Sequence, residues 1–112
     1  MPKLERYLFV YGSLRRPARN RFARALHRNS IFVDAAKVRA KKYCIGGYPA
    51  MVIAKDSSVD GELYRLRDPE SQLALLDEYE GAAYRRTIVK ATASTGKFIR
   101  CWSYLYRFRL KR

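Results

Sequence analysis

Between residues 31 and 66 four short apolar runs follow one another with no helix-period segment among them: Ile31 to Val38, Lys42 to Ile45, Met51 to Ala54 and Val59 to Leu66. Gly46-Gly47, Pro49 and Asp56-Ser57-Ser58 punctuate them, residues that suit the turns of a small sheet. A parallel α/β sheet needs a crossover helix between successive strands, so this succession speaks against regular β-α-β alternation. It favours a closed or nearly closed sheet with helices beside it.

The flanking segments extend that pattern. Tyr7-Leu8-Phe9-Val10-Tyr11 is a nearly continuous apolar run ending at Gly12-Ser13, the signature of a buried strand leaving into a tight loop. Tyr84 to Ala93 and Lys97 to Phe108 are two further extended runs about Ser94-Thr95-Gly96, a hairpin loop. In the second run Phe98, Trp102, Tyr104, Tyr106 and Phe108 share one parity, the period of a strand. After Pro17, placed near a helix start, Ala18, Phe22, Ala25 and Leu26 recur at helical spacing among arginines, which predicts a basic amphipathic helix. A second helix opens at Asp68 as N-cap, with Pro69 at its first position and Glu70 in the first turn, and stops at Gly81. About six short strands and two helices are expected in one domain spanning residues 1–112, an α+β architecture.

Its 112 residues and 48% hydrophobic content suffice for one core. No run approaches the roughly 18 apolar residues of a membrane span, so a soluble, cytoplasmic protein without membrane association is expected. A monomer is the favoured state. Cys44 and Cys101 belong to no C-x-x-C pair and read as packed thiols, on neighbouring strands or buried apart. With His27 as the only histidine, a zinc site or a hydrolase triad is hard to assemble; its place in the basic stretch reads as a helix surface position.

The charge balance is extreme: 24 Lys+Arg against 10 Asp+Glu, a net charge of +14. The cations gather at Arg15, Arg16, Arg19, Arg21, Arg24 and Arg28, at Arg39, Lys41 and Lys42, and at Arg107, Arg109, Lys111 and Arg112. Such a field attracts polyanions whatever the fold, and on charge alone solvated faces and a phosphate-binding surface stand equal. A basic nucleic-acid-binding barrel with a vestigial pocket, stacking bases on the Phe98 to Phe108 aromatics, is therefore the alternative to an enzyme.

Two segments carry candidate chemistry. On the second helix, at about 100° per residue, Leu73, Leu76 and Glu80 share a face with Tyr79 alongside. Of the three acids in Leu76-Asp77-Glu78-Tyr79-Glu80-Gly81, only Glu80 is expected to face inward; Asp77 lies at the edge and Glu78 away. Burial and the negative end of the helix dipole both favour its neutral form and raise its pKa, as a general acid/base requires. A simple ion pair at the core rim is the competing account. In the loop after the first strand, Gly12 lets the backbone turn closely so that successive N–H groups can converge on an anion, with the Ser13 hydroxyl beside them; an ordinary strand exit is the bland reading.

Taken in order, Tyr11-Gly12-Ser13-Leu14, Tyr48-Pro49, Gly61-Glu62-Leu63-Tyr64, and Leu76-Asp77-x-x-Glu80-Gly81 followed by Tyr84-x-Arg86 resemble the gamma-glutamylcyclotransferase family, over Tyr7 to about Tyr106. The likeness is greatest to its short branch of gamma-glutamylamine cyclotransferase and small bacterial proteins. It implies a small mixed β-barrel of five or six strands with two flanking helices and a cavity at one end. Glu80 matches the family's catalytic glutamate, Tyr11, Gly12, Ser13 and Leu14 match its substrate-holding loop, and Tyr84 falls at the pocket wall. Glu62 is the rival acid, read as structural or secondary. The implied activity converts a small gamma-glutamyl amine, amino acid or peptide to 5-oxoproline and a free amine, a lyase or transferase reaction that uses no metal or organic cofactor. The strong basicity departs from the family pattern and suggests an acidic leaving group or contact with nucleic acid.

Overall fold

The computed structural model describes residues 5–12, 15 and 20–108. Chain order is β1 (Tyr7–Val10), α1 (Arg21–Arg28), β2 (Ser30–Ile45), β3 (Tyr48–Leu66), α2 (Pro69–Glu80), β4 (Tyr84–Ala93) and β5 (Phe98–Tyr106). The five strands close a barrel in the order β1-β3-β2-β4-β5. Every pairing is antiparallel except the closing one, where Leu8 of β1 lies parallel to Trp102 of β5, so the sheet is mixed.

The four runs between residues 31 and 66 are two long strands rather than four short ones. β2 and β3 form one hairpin of 16 and 19 residues, turning at Gly46 and Gly47, which both take positive φ between the paired Ile45 and Tyr48. Asp56-Ser57-Ser58, expected as a turn, lies inside β3. There the register jumps from Arg39↔Ser58 to Ala40↔Ile53, so Ala54, Lys55, Asp56 and Ser57 stand outside the ladder as a bulge. Arg39 donates to the Lys55 carbonyl (3.0 Å) and Ser57 to the Ala40 carbonyl (2.9 Å), which fixes the bend. The polar residues satisfy a turn preference by bending a strand, and the outer half of the hairpin tips over one end of the barrel.

β1 is apolar at every position because both its faces are covered. Phe9 and Tyr11 point into the barrel with Val38, Met51, Leu63, Val89 and Cys101. Leu8 and Val10 point outward, under the helices, with Leu26, Leu66, Leu73, Leu76 and Tyr104. Each buried aliphatic or phenylalanine side chain contributes about 1.5–3 kcal/mol, so Leu8, Phe9 and Val10 make this strand the hinge between the two cores, with Tyr11 just beyond its end. β1 approaches β3 closely at Gly61, where an added Cβ would stand 2.3 Å from the Val10 carbonyl oxygen. Buried Ser103 donates to the Phe9 carbonyl (3.0 Å) and reinforces the closure, where the ladder records one pair.

The even-numbered aromatics of β5 do not fill the barrel. Cys101 faces the interior with Ile99 and Leu105, while Tyr104 and Trp102 pack outside it against the helical layer. Trp102 donates to the Glu5 carbonyl and lies beneath the Arg86 guanidinium, 4.6 Å from its centroid, so it offers no open stacking platform; Phe98 and Phe108 are exposed.

Both helices are capped. α2 begins at Asp68, whose carboxylate accepts from the Ser71 N–H (3.5 Å), and ends at Gly81 with φ of 80°. α1 begins later than the sequence suggests, at Arg21, with the Asn20 side chain accepting from Ala23 N–H (2.8 Å); Pro17 and Ala18 lie outside the described residues. Gln72 ties the helices to the sheet, donating to Ser30 Oγ and the Asn29 carbonyl. His27, expected at the surface, is half-buried instead: its ring stacks on Tyr64 at 4.9 Å and Nε2 lies 3.1 Å from the Tyr64 hydroxyl. Cys44 is exposed on β2 and Cys101 buried on β5, strands that do not pair, and both are free thiols. None of the described helices is long and apolar enough to cross a membrane.

Candidate active site

A cavity of about 550 Å³ opens at the barrel end where β1 leaves the sheet. Three elements converge there because each stops there: β1 at Tyr11 and Gly12, α2 at Tyr79 and Glu80, and the β2–β3 hairpin at Ile45, Tyr48 and Pro49. Tyr84, Tyr104 and Tyr106 complete the wall. Of the sequence-derived candidates, Tyr11, Gly12, Glu80 and Tyr84 thus share one cavity. Ser13 and Leu14 lie outside the described residues.

Glu80 is the single carboxylate among the lining residues described, and no lysine, arginine or histidine is among them. Burial in this aromatic surround pushes its carboxyl up to about 7, and burial is the resolved cause. Among the described residues no cation lies within ion-pairing distance of it. The arginine of the motif, Arg86, is engaged by Asp77 at 3.3 Å. Asp77 also accepts the Tyr104 hydroxyl at 2.6 Å. Asp77 therefore neutralises Arg86 outside the cavity, one turn of helix away from Glu80, which has no cationic partner among the described residues.

Three of the tyrosines around Glu80, Tyr11, Tyr84 and Tyr104, are held neutral. Burial first, then the charge of Glu80, raises the Tyr11 phenol, and the same two causes raise Tyr84. Tyr104 is raised by burial and then by its bond to Asp77. Tyr11 donates to the Tyr104 carbonyl (2.6 Å) and Tyr84 to the Pro49 carbonyl (2.7 Å), so each hydroxyl pins one wall to another. The Tyr84 bond holds the hairpin tip against β4. Gly12 has ordinary φ; its smallness matters because a Cβ would stand 3.0 Å from Pro49 Cγ. Its carbonyl accepts the Arg15 N–H (3.1 Å).

Glu62 does not line the cavity. It faces outward on β3, where its carboxylate accepts the Tyr64 hydroxyl at 3.0 Å. Sequence reasoning missed Tyr104, whose carbonyl and hydroxyl link Tyr11 to Asp77. It gave Tyr48-Pro49 no role, although the hairpin turn was visible in Gly46-Gly47. Tyr104 could have been found from the aromatic stripe of β5, had the stripe been assigned to the face under α2.

These features define a class: a small closed barrel whose end cavity carries one half-buried carboxylate, without a cationic partner among the described residues, set among tyrosines. The family model described as "Gamma-glutamyl cyclotransferase, AIG2-like" matches residues 8–112, and the chain belongs to that family. It is 33% identical over 104 residues to a Methanocaldococcus jannaschii protein named "Putative gamma-glutamylcyclotransferase", covering 89% of this chain and 83% of that one. The crystal structure of a mouse AIG2-like protein superposes with a TM-score of 0.74 at 23% identity, over 89% of this chain and 76% of that one. The solution structure of an Arabidopsis thaliana protein gives 0.73 at 26% identity, over 94% and 64%. The chain is a gamma-glutamylcyclotransferase-like enzyme.

Proposed function

We propose that the protein converts a small gamma-glutamyl amine, amino acid or peptide to 5-oxoproline and a free amine, with Glu80 moving the proton. The observation that carries this reading is the Glu80 carboxyl in the cavity, raised to about 7 by burial and without a cationic partner among the described residues. An acid of that strength accepts a proton near neutrality and can return it.

In the reaction the α-amine attacks the γ-carbonyl of the same glutamyl group. A new C–N bond closes the five-membered ring, and the bond to the leaving amine breaks. On becoming the ring N–H the α-ammonium gives up two protons; Glu80 takes each in turn and delivers it to the departing nitrogen, which leaves as an ammonium, so one carboxyl serves every transfer. Holding amine and carbonyl in a bent, near-attack geometry supplies several of the about 7–11 kcal/mol open to such organisation. With no cation among the described lining residues, the substrate α-carboxylate is best received by backbone N–H groups at the Tyr11 to Leu14 loop, which also offers donors toward the developing oxyanion. Tyr84 bounds the pocket beside Glu80.

Incubation with γ-glutamyl-ε-lysine, γ-glutamyl-alanine and glutathione, followed by assay of 5-oxoproline, tests the reading. Product above a no-enzyme control is expected with at least one of them. Absence of product from all three would overturn it.

A further inference from the structure

A second recess, of about 380 Å³, lies at the bend of the β2–β3 hairpin. Arg15, Lys41, Lys42 and Ser58 line it, with buried Ala40 and Val59 as an apolar wall. Its one carboxylate, Asp60, is paired with Lys37 at 3.7 Å. Among the described residues none of the three cations has an ionic partner. Arg15 and whichever of Lys41 and Lys42 faces the recess set two positive charges about one concave, partly apolar surface, whose repulsion an anion would relieve. The four bulged residues Ala54 to Ser57 sit outside the ladder beside it, and the Ser57 hydroxyl is already spent on the Ala40 carbonyl, so the donors left are Ser58 and the cations.

We propose that this recess is a binding site for a small oxyanion, a carboxylate or a phosphate group, distinct from the Glu80 cavity. Gly12 links the two: it lines the cavity, and its carbonyl accepts both the Arg15 N–H (3.1 Å) and Arg15 Nε (3.4 Å). An anion drawing on the Arg15 guanidinium would compete with the Gly12 carbonyl at the edge of the cavity. The oxyanion has two possible sources: the carboxylate of a substrate's leaving group, or a free anion such as phosphate. The first source rests on the cyclotransferase reading; the second does not.

The test uses the full chain and the double variant Lys41→Gln/Lys42→Gln. Neighbouring strand residues point to opposite faces, so replacing both removes whichever ammonium reaches the recess. Lys90→Gln/Lys97→Gln, on the β4–β5 hairpin, removes the same charge elsewhere and serves as control. Inorganic phosphate is titrated calorimetrically at fixed ionic strength, and kcat/KM is compared for γ-glutamyl-alanine and its neutral γ-glutamyl-alaninamide. Saturable phosphate binding that weakens about tenfold in the Lys41/Lys42 variant and less than about twofold in the control supports a free-anion site. No phosphate binding, with about tenfold loss of kcat/KM for the acidic substrate alone, assigns the site to the leaving group. Neither effect, or equal losses in both double variants, overturns the proposal. If no substrate yields 5-oxoproline, the functional reading fails separately and the phosphate titration alone decides the recess.

Discussion

Asp77 and Glu80 stand three residues apart on α2, yet the flank and the cavity give them opposite physics. On the flank, Asp77 meets Arg86 and the Tyr104 hydroxyl, in partial contact with solvent. In the cavity, Glu80 meets aromatic rings, and its carboxyl rises to about 7. The difference comes from orientation rather than residue type. A helix turns about 100° per residue, so one turn separates an acid that stabilises the fold from one whose charge opposes it. A carboxylate kept against its own solvation is the costlier arrangement, a cost that the proton-transfer role proposed for Glu80 accounts for.

The largest expected effect separates the two in turnover. Glu80→Gln should lower kcat/KM for 5-oxoproline release by about 10³-fold, within the range of general acid/base catalysis, with an unchanged circular dichroism spectrum. Retained activity would remove Glu80 from the mechanism.

The second test is the sign of the stability change with pH. The folded-state pKa of Glu80 lies above its ordinary 4.5, so the native state holds the proton more tightly than the unfolded chain. Its contribution is fully present below about pH 4.5, falls as pH rises, and is lost through about 7. Up to about 3 kcal/mol is at stake, less what the open cavity mouth allows solvent to recover. Denaturant melts should therefore show Glu80→Gln more stable than the parent at pH 8 and the difference shrinking toward pH 5. The same ionisation should give kcat/KM an acidic limb with a midpoint near 7, falling tenfold per unit below it. A pH-independent difference between parent and variant would mean that Glu80 is solvated.

Asp77→Ala should act in the opposite direction. It leaves the buried Tyr104 hydroxyl with only a long contact to the Leu73 carbonyl (3.5 Å) and frees Arg86, for a loss of about 1–2 kcal/mol at pH 7. Most of this comes from Tyr104, since the ion pair is part-exposed and screened. Turnover should fall far less than in Glu80→Gln; an equal fall would make Asp77 part of the reacting site.

The smallest effect concerns the cavity wall. Tyr84→Phe removes the bond to the Pro49 carbonyl and should cost about 1 kcal/mol, with KM rising more than kcat falls as the hairpin tip loosens. A fall in kcat alone would instead place the phenol in the proton path.

The family and its barrel were legible through the resemblance of short motifs, and the nearly closed sheet and the inward-facing Glu80 through local signals: apolar runs, breakers, an N-cap with proline, and the spacing of Leu73, Leu76 and Glu80. Those signals are short-range, so they fixed which residues share a face and where α2 ends. Tertiary structure alone decided what each face meets. Whether Asp56-Ser57-Ser58 turns the chain or bulges a strand depends on the register of β2 against β3, set by pairings far apart in sequence. Which parity of β5 faces the interior depends on barrel closure through Leu8 and Trp102. That Arg86 settles on Asp77 and leaves Glu80 without it depends on β4 crossing the flank of α2. Period and capping are properties of neighbouring residues, whereas partnership and desolvation belong to surfaces that exist only once distant strands have met.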